Sequence, residues 1–403
     1  MLLKQIVNDP QKALLYLERY VNDGSPSGFT CINQTSYETT PASDRDFFYL
    51  DFLCVEDSVE TIGSLPSFFE GFERNTIFIH PDMNGMYKKR NFHTKKSNIR
   101  VCPMSSFRTV KFLDYPGYVK LNYNGIIGRI DRSLTDKHVY SSIEMTEFLK
   151  KALKKGIYHK LSFFPESGAK LYKNKKDEIN IGMIYREEEV FGDKVDEIKY
   201  VIPMFSLFAH DKEKLDDFLL IQLVKESNKK PEEYVLNDLI YNIIDNYFKL
   251  LLNEGIQPEW HAQNLLLGID SHHSIVSLIM RDLESIDIDQ TLQESIGGCT
   301  NFKSYPYKYL NSSQYNYQIK HSFMYDFKIG EYVFSPIIKC VTEYFKLDQD
   351  VIEKKIKEYS MQYIEKLPKD FFPNCWYSFD QVIIDRSISK RPYIRHENVK
   401  YRV

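Results

Sequence analysis

The spacing of apolar and polar positions divides this chain into helical and strand-like stretches. Over residues 1–22, Leu2, Leu3, Ile6, Leu14, Leu15, Leu17 and Val21 recur at helical spacing, and Pro10, well suited to a first helical turn, predicts where the helix proper begins. "NDGSPSG" then breaks it. "DFFYLDFLCV" and "NTIFIHP" are dense in aromatic and β-branched residues and predict strands, the second ending at His80 and Pro81. From there to about residue 190 the pattern is one of short strands and turns, with a helix near "SSIEMTEFLKKALKKG". The clearest helix runs from Glu233 to Glu254: Val235, Leu236, Leu239, Ile240, Ile243, Ile244, Tyr247, Leu250 and Leu251 share one face, and Gly255 suits the C-cap.

Two hairpins carry polar residues to one end. "NLLLGID" and "SIVSLIM" are apolar runs joined by "SHHS", which predicts an antiparallel pair. A second pair flanks the Pro- and Gly-punctuated turn in "SSFRTVKFLDYPGYVKLNYNGIIGRIDR". The whole predicts an α+β fold with helices concentrated in the C-terminal half and no internal repeat.

Composition narrows the function classes. With 403 residues, 27% charged, 43% hydrophobic and a formal net charge of −3, the chain announces neither disorder nor a polyanion-binding surface, so nucleic acid is not an expected partner. Residues 1–21 lack a basic start followed by an apolar core, and no run approaches the roughly 18 apolar residues of a membrane span; a cytoplasmic protein with no membrane partner is expected. Cys31, Cys54, Cys102, Cys299, Cys340 and Cys375 have no C-x-x-C or zinc-finger spacing and read as reduced thiols.

The hairpin ends are the candidate chemistry. In the "SHHS" hairpin the start of the first strand lies beside the end of the second, which sets Glu259, His261 and Asn264 next to Arg281, Asp282 and Glu284. Two carboxylates and an amide oxygen suit Mg²⁺ carrying a nucleotide's phosphates; capping and ion pairing at strand ends would use the same residue types. In the other hairpin Arg108 comes opposite the neighbourhood of Lys120, Arg132 follows, and Ser105, Ser106 and Thr109 supply hydroxyls. That set makes either a phosphate clamp or a solvated basic face. No Walker loop or dinucleotide fingerprint occurs, so any nucleotide would be held by side chains on strands.

Taken together, "CPMSSFRTV", "YVKLNYNGIIGRIDRSL" and "EGIQPEWHAQNLLLGID" with "MRDLE" resemble the NRPS-independent siderophore (NIS) synthetases, the IucA/IucC aerobactin-synthetase family. "FIHPDM", "FPESGAK" and "MIYREE" are weaker echoes, and the match runs from about residue 75 to the C-terminus. The resemblance implies a hand-like fold: a thumb-like region at 1–75, β-rich ATP-binding fingers at 76–200 and a mainly helical palm at 201–403. It implies an ATP-dependent ligase that adenylates citrate or another small carboxylate and condenses it with an amine or hydroxyl, in siderophore or related metabolite biosynthesis. Ser105, Ser106, Arg108, Thr109, Lys120 and Arg132 would hold ATP, with Arg132 also facing the substrate. Glu259, Asn264 and Asp282 would bind Mg²⁺ and phosphates, and His261 would stand beside the reacting carboxylate.

Departures from the family pattern are a shortened N-terminal region without the early His-Pro motif, Gly128 in place of a Thr, and no evident second basic residue, for which Lys320 is the candidate. A smaller acid, or a homodimer or partner subunit completing the pocket, would fit these departures. The alternatives are a small-molecule kinase-like phosphotransferase, in which Gln263 stands where a base Asp is expected, and a non-catalytic nucleotide-binding subunit.

Overall fold

The computed structural model describes residues 3–23, 37–56, 59–127, 130–174, 179–211, 217–298, 302, 309–378, 383–384, 387–388 and 393–402. Leu2, Cys31, Gly128 and Cys299 lie outside the described residues. The N-terminal periodicity resolves into two helices, Leu3–Asn8 and Pro10–Tyr20. Pro10 opens the second, and the Asp9 carboxylate caps it by accepting from the Lys12 N–H.

Sixteen strands carry the two large sheets and the pieces between them. The first six are β1 (Phe48–Cys54), β2 (Glu60–Gly63), β3 (Thr76–Ile79), β4 (His93–Pro103), β5 (Thr109–Phe112) and β6 (Tyr118–Leu121). A small hairpin follows, β7 (Tyr123–Ile127) with β8 (Ile130–Arg132). After the helix Asp136–Leu153 come β9 (Leu161–Phe163), β10 (Gly168–Asn174), β11 (Ile179–Arg186), β12 (Phe191–Gly192) and β13 (Tyr200–Pro203). Beyond the helix Tyr241–Glu254 lie β14 (Ile256–Gln257), β15 (Leu265–Ile269) and β16 (Ile275–Met280).

An eight-stranded sheet has the order β2-β10-β11-β6-β5-β4-β1-β3, every pair antiparallel, and a five-stranded sheet has the order β12-β9-β16-β15-β13. The sheets do not divide at residues 75 and 200. β1 and β2 belong to the first sheet, while β9, β12 and β13 join the later β15–β16 hairpin in the second. Burial accounts for this: β15 and β16 are buried at every position and need neighbours on both sides.

Alternation along the strands of the first sheet sorts its two faces. Val110, Phe112, Val119, Leu121, Met183 and Tyr185 point into one core with Phe78 and Ile79. Thr109, Tyr118, Lys120 and Arg186 take the other face, part of which is covered where Val139 of helix Asp136–Leu153 packs on Ala169, Leu171 and Ile184. A larger core joins the second sheet to the C-terminal helices and to Leu17 and Val21 of the N-terminal segment. The expected long helix is present. It starts at Pro231, is π-helical over Tyr234–Ile240, and ends at Gly255, whose φ of 61° is the left-handed cap. Among the described residues no helix is long and apolar enough to cross a membrane.

Candidate nucleotide and carboxylate site

Both expected hairpins form, and their polar ends meet across one cavity. Thr109 pairs with Lys120 in the β5–β6 register, and Leu265 pairs with Met280 at the open end of β15–β16. The cavity between them is lined by Ser106, Arg108, Thr109, Lys120, Arg132, Glu259, His261, Asn264 and Asp282, nine of the ten residues expected there. Ser105 is the exception. It is buried behind the wall, and its hydroxyl accepts from the Gln263 side-chain amide at 3.2 Å.

The turn before β5 folds tightly: Phe107 N–H donates to the Met104 carbonyl at 2.9 Å and Arg108 N–H to the Ser106 carbonyl at 2.8 Å. Phe107 sits at φ 66° and Asp282 at φ 70°. Two non-glycine residues in the left-handed region, one at each hairpin mouth, cost about 1–3 kcal/mol each and persist only where surrounding contacts hold them. Here those contacts are ionic. Lys120 Nζ bonds the Asp282 carboxylate and lies 2.8 Å from Glu284 Oε1, and Arg108 reaches Glu284 at 3.1 Å and the Arg132 carbonyl at 2.7 Å. Arg132 Nε donates to the Ile127 carbonyl at 3.2 Å, Glu259 pairs with Lys328 at 2.8 Å, and Asn264 Nδ2 donates to the Glu259 carbonyl at 3.1 Å.

Burial would raise the carboxyl of Asp282, but Lys120, Arg186 and Arg108 outweigh it and hold the group well below the usual carboxylate range. Glu284 is likewise lowered: burial opposes, Lys120 and Arg108 prevail. Burial pushes His261 down to about 4, against the pull of Glu259, so its imidazole is neutral near pH 7. Its Nδ1 accepts from the Gln263 N–H at 3.2 Å, which leaves the proton on Nε2.

Residues not assigned from the sequence complete the wall. Arg186, from the "MIYREE" echo, lines the cavity and pairs at 2.6 Å with Glu166 of "FPESGAK", so two of the three weaker echoes meet in one buried ion pair. Arg281 and Lys328 also line it. Lys320, the candidate for a second basic residue, lies in the preceding helix Tyr317–Ser322 and is not on the wall, whereas the π-helical segment Phe323–Phe334 brings Lys328 to the cavity. Leu14 of the N-terminal helix, Met104, Phe164 and Leu266 form an apolar part. Cys102, Cys340 and Cys375 are buried free thiols and Cys54 is half-buried.

Among the described residues the wall carries six basic side chains, Arg108, Lys120, Arg132, Arg186, Arg281 and Lys328, and two acidic ones, Glu259 and Asp282, while Glu284, Glu166 and Glu18 pair with four of the cations from behind it. Such a wall suits a polyanion. Among the described residues no three His, Cys, Asp or Glu side chains gather as a metal-binding group. An ion held by Asp282, Glu259 and the Asn264 amide oxygen would therefore draw the rest of its shell from water and phosphate, which fits Mg²⁺ arriving on a nucleotide.

The fold is that of the NIS synthetases, a class of siderophore-assembling enzymes. Among solved structures, it matches the petrobactin biosynthesis protein AsbB of Bacillus anthracis with a TM-score of 0.64 at 15% identity, covering 82% of this chain and 64% of that one. It matches ATP-bound aerobactin synthetase IucA from a hypervirulent pathotype of Klebsiella pneumoniae with a TM-score of 0.65 at 12% identity, covering 92% of this chain and 75% of that one. IucC from the same pathotype matches with a TM-score of 0.62 at 12% identity, covering 85% and 68%. This chain thus spans about two thirds to three quarters of the length of these proteins. No family model and no curated protein matches the sequence.

Proposed function

We propose that this chain is an ATP-dependent carboxylate–amine ligase: a carboxylate oxygen attacks the α-phosphorus of ATP, pyrophosphate leaves, and an amine or hydroxyl then takes the acyl group while AMP leaves. The observation that carries the reading is the wall of six basic and two acidic side chains, in a fold shared with an ATP-bound synthetase. Attack of one anion on another needs such a field, because fixed cations offset the repulsion and stabilise the charge that builds on the phosphoryl oxygens.

Ser106, Arg108, Thr109, Lys120 and Arg132 hold the phosphates, and the apolar part around Leu14, Met104 and Leu266 accommodates the base. Asp282, Glu259 and Asn264 would hold Mg²⁺, which when bound would neutralise phosphate charge. Lys120 and Lys328 pair with Asp282 and Glu259, so these lysines would have to turn to phosphate or substrate carboxylate to free the two acids for the ion. Neutral His261 donates its Nε2–H to the substrate carboxylate and orients it; a group already protonated there is no base. Lys328 and Arg132 grip the acid. Past Leu14, Tyr118 and Phe164 the cavity adjoins a groove with Glu188, Glu189 and Asp196, which favours an amine as the incoming nucleophile. The hand-like division into fingers, palm and thumb, and a place in siderophore biosynthesis, belong to the same proposal.

The test is ATP–pyrophosphate exchange with a panel of small carboxylic acids, followed by product analysis with diamines. Acid-dependent exchange and AMP support the ligase. ADP as product would make the protein a phosphotransferase, and tight ATP binding without turnover would make it a nucleotide-binding subunit.

A further inference from the structure

A closed ring of hydrogen bonds, two of its members on the cavity wall and two behind it, joins the N-terminal helix to both hairpins. Glu18, fully buried on helix Pro10–Tyr20, accepts from Arg281 Nη1 at 2.6 Å through Oε1 and from the Ser105 backbone N–H at 3.1 Å through Oε2. Arg281 Nε donates to the Gln263 carbonyl at 2.7 Å, and the Gln263 amide donates back to Ser105 Oγ at 3.2 Å. The four residues come from three distant parts of the chain and are all buried or nearly so. Three of them directly adjoin wall residues in sequence: Ser105 precedes Ser106, Gln263 precedes Asn264, and Arg281 precedes Asp282.

We infer that Glu18 is a positioning residue that sets the phosphate-clamping turn and the acid-bearing hairpin in register with each other. A buried carboxylate with two charge-assisted or backbone donors is held stiffly, and each donor belongs to a different side of the cavity. Arg108 and Ser106 stand on one side, Asp282 and Asn264 on the other. A ligand bound by either side alone is bound whether or not the sides are aligned; a transition state that spans both is not. The N-terminal helix is thereby a working part of the site, contributing Leu14 to the wall and Glu18 behind it.

The choice of ATP as probe rests on the proposed function; the ring itself does not, and two readouts separate them. In Glu18→Gln, which keeps size and one acceptor, amide hydrogen exchange of the ligand-free protein should quicken at least tenfold in residues 105–109 and 281–284 together, with helix Tyr241–Glu254 unchanged. Quickening in neither segment, or in one alone, overturns the coupling whatever the protein's activity. On active-site-titrated enzyme the same variant should lower kcat for exchange at least thirtyfold while affinity for ATP measured without Mg²⁺, which the clamp side alone holds, stays within about threefold, and Glu18→Gln/Arg281→Lys should be no worse than the worse single variant. An unchanged kcat with only a lower Tm makes Glu18 structural. Equal losses in kcat and affinity make it a binding determinant. Should Glu18→Gln fail to fold, Ser105→Ala opens the ring at the Gln263 bond alone and should give the same kcat-selective loss at smaller size; no loss overturns the proposal. A parent without ATP binding sinks the functional reading and leaves the exchange result to decide the ring.

Discussion

Replacing Lys120 by methionine removes one charge from the centre of the site and keeps most of the side chain's volume. In the folded protein the ammonium is 3% exposed and serves both Asp282 and Glu284. The remaining cations are already engaged, Arg108 with Glu284 and the Arg132 carbonyl, Arg186 with Glu166. Lys120→Met therefore leaves the buried Glu284 and the partly exposed Asp282 sharing what Arg108 and Arg186 can spare, and breaking a buried pair such as that with Glu284 costs about 3–5 kcal/mol. The same lysine is a clamp residue in the proposed function, so MgATP affinity should also fall by about 1.5–3 kcal/mol, tenfold or more.

The pH dependence separates these two effects. Asp282 and Glu284 titrate below their unfolded values in the parent, so the stability they contribute is full above about pH 5 and is lost as pH falls through their folded values. Without Lys120 both folded values rise, and the variant's carboxyls take up protons at a higher pH, which relieves the buried charge. The stability gap between parent and variant should be widest near pH 8 and narrow towards pH 5. Urea midpoints and melting temperatures at pH 8, 7, 6 and 5 measure it. A variant within about 1 kcal/mol of the parent at pH 8, or a gap that widens on acidification, would refute the electrostatic account of the cluster.

Three further outcomes follow from the geometry. Asp282→Asn should fold, with exchange activity down about a hundredfold and partly restored by Mn²⁺, because an amide is the poorer ligand for a hard cation; a protein that fails to fold would instead make Asp282 structural. His261, lowered to about 4, stays neutral in the folded state while the unfolded chain takes a proton below about 6.5, so it makes stability rise with pH across that interval; His261→Ala should flatten this slope, keep ATP affinity within a few-fold, and cut pyrophosphate exchange by at least about a hundredfold, and a pH–rate limb near 6.5 that vanishes with His261 would contradict its neutrality. Gly117→Ala should lower the melting temperature by an amount equivalent to about 1–3 kcal/mol, since Gly117 has φ 86° and a Cβ there would meet the Tyr185 hydroxyl at 2.5 Å and the Arg186 carbonyl at 2.6 Å; an unshifted transition would mean the β5–β6 turn yields more easily than this contact suggests.

The parts of this site legible in the sequence are those set by local rules. Alternation and turn residues bring Arg108 to the neighbourhood of Lys120, whose partner in register is the next residue, Thr109, and a short connection between two apolar runs returns Arg281 and Asp282 to the neighbourhood of Asn264. Which third segment closes over those ends is not a local matter. Arg186 arrives on β11 because β11 pairs with β6, a pairing between strands more than sixty residues apart, and Lys328 arrives on a π-helical segment whose extra residue per turn shifts the face a helical period would assign. Ser105 went astray for a similar reason: three adjacent hydroxyl and basic residues look equivalent in a sequence, and only the reversed turn at Phe107 decides which face inward and which lie behind.

Glu18 is different, because a signal for it was present. In helix Pro10–Tyr20 it follows Leu14 by four positions and Leu17 by one, beside the half-buried Leu14 and the buried Leu17 and Val21. An acid on an apolar stripe cannot be left alone in a core, since an unpaired buried carboxylate costs several kcal/mol, so the position by itself requires cationic or amide donors from elsewhere in the fold. Several basic residues lie in the same helix and the two hairpins, Arg19, Arg108 and Lys120 among them, and nothing in their spacing says which will come. The structure answers with Arg281 and the Ser105 amide, one from each side of the cavity. A helix that needed only to bury Leu17 and Val21 would have done so with an apolar residue at position 18. Placing a carboxylate there makes the packing of the N-terminal helix conditional on both hairpins being in place, and both hairpins conditional on the helix.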